Sequence, residues 1–253
     1  MDIDLPYILF WAVLVCGIVW LADVLLFKAK RQAKDPEAAD PTLVEYARSF
    51  FPVLLIVLIL RSFLAEPYQI PSESMVPTLE VGDFILVNKY AYGLRLPVFG
   101  TKIVDIGDPQ RGDVMVFVPP HDPRYFIKRV IGIPGDTVRY ENKALYINGE
   151  RMKYELVGEV DDPISRLPVR SYRETIGERT HMIYRDTSRT RSQEWQIPAG
   201  KYLMLGDNRD RSEDSRYWGL ASEENIVGQA VAIWLHKDPG WHLPNFSRNQ
   251  WFE

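Results

Sequence analysis

Two long apolar runs stand close to the N-terminus and set the first part of the chain apart from the rest. The first run covers residues 5–22 without a charged residue, and residues 24–27 continue it beyond Asp23. A membrane-spanning helix needs about 20 mostly apolar residues, so this run is long enough to cross a bilayer. A cleavable signal peptide starts with basic residues, whereas here the preceding residues are acidic and the basic ones follow. The pattern predicts that residues 1–27 form a retained first transmembrane segment.

The second apolar run, residues 50–65, carries a single charge at Arg61 and is predicted to be a second transmembrane segment. Its length is at the short end for a span, and the alternative is a buried helix of a soluble domain. By the positive-inside rule, the polar segment 28–49 between the runs is a cytoplasmic loop, and residues 66–253 lie on the extracytoplasmic side. The basic residues of this loop are Lys28, Lys30, Arg31, Lys34 and Arg48.

Beyond residue 65 the pattern changes to short apolar stretches separated by turn signals, which is typical of a mainly β fold. Asn148-Gly149 is the strongest of these signals, because such a pair favours a two-residue hairpin. Residues from about 138 to 198 are more polar and richer in arginine, and are predicted to be a smaller inserted subdomain. The predicted strands cover residues 84–87, 114–118, 125–133, 145–147, 202–205 and 226–235.

Composition and charge exclude several classes of partner and of site. The 30 Lys and Arg are outnumbered by 34 Asp and Glu, and a net charge of −4 argues against nucleic acid as a partner. The single cysteine, Cys16, lies in the first apolar run, so residues 66–253 contain none and cannot form a disulfide framework. One cysteine and four scattered histidines argue against a metal site, and no cofactor is expected. The aromatic stretch 241–252 is either a packed tail or an interfacial segment.

Two serines and a lysine are candidates for chemistry. Ser72 and Ser74 lie between two prolines just after the second apolar run, although serines in such a segment can also be solvated linker residues. Lys128 lies between Phe126 and Val130 on one face of a predicted strand, where desolvation would lower its pKa. The alternative is a solvent-facing lysine that protects a sheet edge.

A third polar feature is the stretch 206–219, which mixes charges with hydroxyl groups. It follows one apolar strand and leads towards another, so it is either a solvated loop or a buried polar network that supports a site. Asp214 and Arg216 in this stretch could form an ion pair.

Four segments closely resemble, in order and spacing, the sequence boxes of bacterial type I signal peptidase (leader peptidase). They are Ser-Glu-Ser-Met-Val-Pro-Thr-Leu at 72–79, Gly-Asp-Val at 112–114, Ile-Lys-Arg-Val-Ile-Gly-Ile-Pro-Gly-Asp at 127–136 and Gly-Asp-Asn-Arg-Asp at 206–210. With the two apolar runs, the resemblance covers nearly the whole chain. It implies a membrane-anchored serine endopeptidase that removes N-terminal signal peptides from exported preproteins after small residues (Ala-X-Ala). It also implies a mainly antiparallel β catalytic domain with a smaller inserted β subdomain, preceded by two transmembrane helices.

The resemblance also assigns roles to matching positions. Ser74 matches the nucleophile and Lys128 the general base of a Ser-Lys dyad, which needs neither metal nor cofactor. Ser72 matches a hydroxyl that forms the oxyanion hole with the backbone N–H of Ser74, and Ser212 matches a serine that orients the lysine amine. The other matched residues are a supporting ion pair, Asp214 and Arg216, and the lining of the substrate pockets, Tyr68, Ile70, Leu79, Ile85, Val116, Phe126 and Ile127.

Two departures from the family pattern limit this transfer. Glu73 stands where the family commonly has glycine, and we expect it to face solvent, because a carboxylate in the site would raise the lysine pKa. The inserted subdomain looks short and lacks the cysteine pair of some relatives.

The expected partners are signal-peptide-bearing preproteins and the lipid bilayer. The expected location is the bacterial inner membrane, with the catalytic domain on the periplasmic side. The alternatives are a specialised Ser-Lys maturation peptidase of a dedicated secretion system and a non-catalytic envelope-binding module.

Overall fold

The computed structural model describes residues 5–35, 39–63, 65–95, 102–163 and 165–252. These residues belong to two compact units, one formed by 1–65 with 93–105 and the other by 66–92 with 106–253.

The first unit contains the two apolar runs as helices. Helix α1 (Leu5–Ala22) continues through a π-helical turn (Asp23–Phe27) into α2 (Lys28–Lys34), and α3 (Thr42–Phe63) follows. The contact between α1 and α3 is apolar, with Leu9, Val13 and Leu58 buried in it. Both helical segments are long and apolar enough to cross a membrane, over Tyr7–Lys34 and Thr42–Ile59.

The polar segment predicted as a loop is largely helical, because α2 and the first two turns of α3 occupy most of it. The residue types of α2, namely Lys, Arg, Gln and Ala, are all good helix formers. Ion pairs support this segment: Arg31 pairs with Asp23 at 2.6 Å and with Asp40 at 2.7 Å, and Arg48 pairs with Asp40 at 3.2 Å. The predicted boundaries at residues 27 and 50 therefore mark changes of polarity and not helix ends.

The remaining elements are mostly short strands. In chain order they are β1 (Ala65–Gln69), β2 (Asp83–Asn88), β3 (Leu94–Arg95), β4 (Lys102–Val104), β5 (Val114–Phe117), β6 (Phe126–Gly132), β7 (Thr137–Glu141), β8 (Ala144–Ile147), β9 (Glu150–Arg151), β10 (Lys153–Asp161), β11 (Pro168–Ile176), β12 (Arg179–Arg185), β13 (Gln193–Gln196), β14 (Lys201–Leu205), β15 (Ala221–Ser222), β16 (Ile226–His236) and β17 (Gln250–Trp251). A single helical turn, α4 (Ser215–Trp218), lies between β14 and β15.

The second unit is built on one large sheet with the strand order β1-β2-β16-β5-β6-β14-β15, and β17 pairs with β16. Two smaller sheets have the orders β13-β7-β8-β9 and β10-β11-β12. The hairpin of β3 and β4 belongs to the first unit. The strand pairs with a defined register are antiparallel. This confirms the mainly antiparallel β fold after two apolar helices.

All six predicted strands are present with nearly the predicted bounds. The predicted hairpin is also confirmed, because Ile147 pairs with Glu150 across the two intervening residues. Asn148 and Gly149 both have positive φ angles, 52° and 84°, which a tight hairpin turn requires and which these two residues tolerate.

The large sheet is buried on both faces, and its central strands separate two apolar clusters. In β5, Val114 and Val116 belong to one cluster, whereas Met115 and Phe117 belong to the other. Side chains alternate between the faces of a strand, so a continuous apolar run such as this one indicates cover on both sides. The site described below lies on the neighbouring strand β6.

The two smaller sheets together form the insertion, which comprises strands β7 to β13 (residues 137–196) and agrees with the predicted inserted stretch. The insertion shares an apolar cluster with the large sheet. Ile131 and Leu203 of the large sheet pack there with Tyr140, Leu145 and Ile176 of the insertion. Because this core is common to both, the insertion is packed against the part of the chain that carries the candidate site.

Candidate active site

The segment that carries the candidate nucleophile is anchored on both sides. Before it, the Ile70 N–H donates to the carbonyl of Asp83 at 2.8 Å. After it, Met75 and Leu79 are completely buried, and the Leu79 N–H donates to the Met75 carbonyl at 2.9 Å. Ser74 itself is buried, with 7% of its surface exposed. The apolar residues around the serine therefore hold its backbone against the core.

Lys128 lies in the third position of β6 and is only 3% exposed. Its Nζ is 2.6 Å from Ser74 Oγ and donates to the carbonyl of Ile127 at 3.0 Å. It also lies 5.4 Å from the centre of the Phe126 ring. The predicted face alternation is confirmed, because Phe126 and Val130 pack in one apolar cluster and Ile127 in the other.

Burial lowers the pKa of Lys128 to about 8, because the surrounding side chains exclude the water that would stabilise the ammonium ion. The carboxylates of Asp214, Glu213 and Asp207 act in the opposite direction, and the Arg216 charge lowers the pKa further. With a pKa of about 8, about a tenth of the lysine is neutral at pH 7 and about half at pH 8. The site can therefore hold an unprotonated amine in contact with a serine hydroxyl at ordinary pH.

Ser72 lies on the same side of the segment as the nucleophile. Its Oγ is 3.4 Å from Ser74 Oγ, although Ser72 is exposed. This places one hydroxyl beside the atom that would attack a carbonyl. The predicted oxyanion role of Ser72 and of the Ser74 N–H stays a prediction.

Asp214 and Arg216 form the ion pair that the sequence suggested. Arg216 Nε donates to Asp214 Oδ1 at 2.8 Å and its Nη2 donates to Oδ2 at 2.7 Å, and both side chains are buried. The Gly206 N–H donates to the same carboxylate at 3.0 Å. The stretch around the pair is therefore a buried polar network and not a solvated loop, at least from Gly206 to Asn208 and at Asp214.

Ser212 does not make the predicted contact with the lysine. Its Oγ is buried and has no hydrogen-bond partner within the described part of the chain, whereas Lys128 Nζ bonds to Ser74 and Ile127. The Ser212 side chain packs instead against Gly206, where an added Cβ would lie 2.2 Å from Ser212 Oγ. The orienting role of Ser212 therefore stays a prediction.

The expectation that Glu73 faces solvent is wrong for one of its carboxylate oxygens. Glu73 is half-buried, and its Oε2 is buried without a partner within the described residues. The Glu73 carbonyl accepts from Asn208 Nδ2 at 3.2 Å and from the Val76 N–H at 3.1 Å. These bonds fix the backbone at Glu73, between the two serines.

The residues predicted to line the substrate pockets are largely buried. Six of the seven belong to, or pack against, one apolar cluster, and Phe126 packs against the other. Leu79 and Ile85 are completely buried, whereas Tyr68 lies partly exposed at the edge of its cluster, next to Tyr125 with ring centres 5.5 Å apart. The pocket assignment stays a prediction.

Sequence reasoning missed a buried ion pair between Arg129, which follows Lys128 in β6, and Asp207. Arg129 Nε and Nη2 donate to the two oxygens of Asp207 at 2.9 and 2.6 Å, and Arg129 Nη1 donates to the Gly112 carbonyl at 2.7 Å. Thr78 Oγ1 donates to the same carboxylate. Strand alternation places Arg129 on the face opposite Lys128, but nothing along the chain identifies its partner 78 residues away.

A second feature missed from the sequence is a pair at the exposed edge of the site. His121 Nε2 is 3.0 Å from Glu213 Oε1, and the His121 ring stacks on Trp218 with ring centres 5.9 Å apart. Glu213 matters for the dyad because its charge raises the pKa of Lys128. Among the described residues, no group of three His, Cys, Asp or Glu side chains could hold a metal ion.

Comparison with known proteins gives one consistent family. A family model described as signal peptidase, peptidase S26, matches residues 43–235. Signal peptidase I of Pseudomonas aeruginosa is 52% identical, and the match covers 98% of this chain and 98% of that protein. Signal peptidase I of Pseudomonas fluorescens is 48% identical with the same coverage. Signal peptidase I of Buchnera aphidicola is 33% identical over 88% of this chain and 89% of its own length.

Proposed function

The chain belongs to the peptidase S26 family of signal peptidases, and we propose that Ser74 and Lys128 are its nucleophile and general base. The chain is a membrane-anchored serine endopeptidase that removes signal peptides from preproteins. The observation that supports the dyad most is the 2.6 Å contact between Lys128 Nζ and Ser74 Oγ in a buried site.

The first half of the reaction forms an acyl-enzyme. Neutral Lys128 accepts the hydroxyl proton of Ser74 as Oγ attacks the carbonyl carbon of the scissile peptide bond. The Ser72 hydroxyl and the Ser74 N–H stabilise the negative charge on the carbonyl oxygen, and such a donor contributes about 3–4 kcal/mol to the transition state. The C–N bond then breaks, the lysine ammonium gives its proton to the leaving amine, and the signal peptide stays bound to Ser74 as an ester.

The second half releases the signal peptide. Lys128, again neutral, accepts a proton from a water molecule that attacks the ester carbonyl. The tetrahedral intermediate collapses, Ser74 Oγ takes the proton back, and the signal peptide leaves with a free carboxylate. The ion pair of Asp214 and Arg216 supports this cycle by holding the strand end at Gly206, which packs against the Ser74 carbonyl.

Specificity for small residues before the cut, as in Ala-X-Ala, fits the apolar cluster beside the dyad. Ile70, Val116 and Ile127 are buried there in one cluster. A large side chain in the substrate would need to displace packed core atoms, and this costs more free energy than the burial of an additional methyl group provides.

The finer location is part of the proposal: the bacterial inner membrane, with the site on the periplasmic side. The basic residues after the first span support this orientation. The aromatic tail supports contact of the second unit with a bilayer, because Trp241, Leu243 and Phe246 are exposed and not packed. We expect removal of residues 1–65 to preserve cleavage of short peptides and to slow cleavage of membrane-bound preproteins. Equal rates for both forms on both substrates would contradict this location.

Cleavage of a small preprotein with an Ala-X-Ala site tests the dyad. Wild type, Ser74→Ala and Lys128→Ala are compared in detergent, with Lys153→Ala as the control because Lys153 is an exposed strand lysine far from the dyad in sequence. We expect cleavage after the alanine by wild type and the control only. Equal cleavage by the dyad variants would refute the assignment. If the reconstituted wild type cleaves no general preprotein, a dedicated secretion substrate or a binding partner becomes the better account.

A further inference from the structure

The loop that supports the dyad, residues 206–214, is attached to the insertion through its backbone. Tyr184 of β12 donates its N–H to the carbonyl of Asp207 at 2.9 Å, and its own carbonyl accepts from the Arg209 N–H at 2.9 Å. The loop therefore pairs with β12 as a short extra strand would, with Tyr184 opposite Asn208.

A buried ion pair strengthens this attachment. Glu174 of β11 and Arg209 of the loop are both completely buried, and the two guanidinium nitrogens of Arg209 donate to the two oxygens of Glu174, one of them at 2.7 Å. His181 Nε2 lies 3.0 Å from the same carboxylate, and Arg185 Nη2 lies 3.7 Å from it. A bidentate pair of this kind fixes orientation as well as distance, because both partners are planar.

Two further ion pairs connect the insertion to the next residues of the loop. Lys143 Nζ is 2.6 Å from Asp210 Oδ2, and the Asp186 N–H donates to the same oxygen at 2.9 Å. Arg211 Nη1 is 2.9 Å from Asp162 Oδ1. Three consecutive loop residues are thus each bound to a different part of the insertion.

The other side of the loop contacts the nucleophile segment directly. The Asn208 N–H donates to the Ser74 carbonyl at 3.2 Å, and Asn208 Nδ2 donates to the Glu73 carbonyl at 3.2 Å. Asn208 therefore lies between the insertion and the backbone of the attacking serine. A shift of this loop would therefore move Ser74 relative to Lys128, which lies on strand β6.

We propose that the insertion acts as a clamp on the loop 206–214, and that Glu174 is a positioning residue that holds Ser74 in register with Lys128 through Arg209 and Asn208. The proposal rests on the proposed dyad. Glu174 touches neither the serine nor the lysine, so its effect on the reaction passes through the position of the loop. The energetic reason is that a buried arginine without its carboxylate must move towards water, and Arg209 can do so only by displacing the loop.

The test compares wild type, Glu174→Gln and the double variant Glu174→Gln with Arg209→Met, in single-turnover and steady-state cleavage of a signal peptide. We expect kcat to fall about tenfold or more in Glu174→Gln with KM within about twofold, because the substrate-binding cluster is untouched while the reacting atoms are misplaced. The double variant removes the unpaired charge, so it should recover thermal stability but not kcat. Arg173→Gln is the matched control, since Arg173 is the neighbour on the same strand and forms an exposed ion pair with Glu155.

Hydrogen exchange provides a second measurement. Exchange of the Asn208 and Arg209 amides should accelerate in Glu174→Gln, while the amides of β5 stay protected as in wild type. If neither Glu174 variant folds, Lys143→Gln decides, because the Lys143 ammonium is partly exposed and Asp210 keeps the Asp186 N–H as a hydrogen-bond donor after the change. It should lower kcat about threefold or more with unchanged KM.

The proposal is overturned if folded Glu174→Gln keeps kcat within about twofold of wild type, or if the double variant recovers kcat together with stability. When Lys143→Gln is the deciding variant, an unchanged kcat also overturns the proposal. Failure of the dyad assignment has a different signature, namely cleavage by Ser74→Ala at the same rate as by wild type.

Discussion

Raising the pH from 6 to 9 converts the buried ammonium of Lys128 into a neutral amine, and we expect the cleavage rate to rise with the neutral fraction. Burial lowers the pKa of this lysine from 10.5 to about 8. At pH 7 the neutral fraction is then about 9%, whereas an unperturbed lysine would have about 0.03%. Burial therefore increases the population of active base at pH 7 by about 300-fold.

The assay is single-turnover cleavage of a peptide without titratable side chains, measured from pH 5 to pH 9. Below the midpoint the acylation rate should fall about tenfold per pH unit, because the population of the neutral amine does. Glu213→Gln provides the matched perturbation. Its charge raises the pKa of Lys128, so removing it should move the midpoint to lower pH without changing the plateau.

Two results would refute this reasoning. A rate that is flat from pH 5 to 9 in a chemistry-limited assay would mean that Lys128 is not the base. A midpoint that moves to higher pH in Glu213→Gln would mean that the Glu213 carboxylate, which lies beside His121, does not stabilise the charged form of Lys128. Circular dichroism at each pH separates these results from unfolding.

Three further predictions concern stability and packing. Lys128→Met should abolish cleavage yet raise the free energy of unfolding at pH 7 by about 1–2 kcal/mol, because the desolvated ammonium costs about 3 kcal/mol and its hydrogen bonds offset part of that cost. In thermal melts this stabilisation should shrink as the pH rises from 8 to 10.5, that is, from the folded to the unfolded pKa of Lys128. Gly206→Ala should destabilise by about 1–3 kcal/mol and lower kcat, because its Cβ would lie 2.4 Å from the Ser74 carbonyl oxygen; wild-type melting and activity would contradict this packing. Asp214→Asn should cost about 3–5 kcal/mol in denaturant unfolding by leaving the Arg216 charge buried and unpaired, against about 0.5 kcal/mol or less for the exposed Arg173→Gln.

Periodicity along the chain accounts for most of what could be predicted. The apolar runs correspond to α1 and α3, and the short alternating or continuous apolar stretches correspond to strands of the second unit. The alternation around Lys128 also predicted its apolar neighbours, and with them the direction of its pKa shift. These properties depend on neighbours within a few residues, so they are encoded locally.

The helix boundaries in the polar segment 28–49 were not predictable from apolarity. Residues such as those of α2 form a helix because of their intrinsic propensity and of ion pairs like that between Arg31 and Asp23, and neither leaves an apolar pattern. The length of an apolar segment reflects hydrophobicity, whereas the length of the helix also depends on helix propensity and on ion pairs, so the two need not end at the same residue.

The sequence by itself determined the two apolar helices, the β character of the rest, and, through the resemblance of four boxes, the serine and lysine of the candidate dyad. Only the tertiary structure decided which polar groups meet. It left the Ser212 hydroxyl without a hydrogen-bond partner among the described residues, buried one oxygen of Glu73, and joined Glu174 of the insertion to Arg209 of the site loop. The physical reason is that contacts between distant residues depend on strand register and on the packing of loops, and a buried charge selects its partner from whatever that packing brings within hydrogen-bond distance.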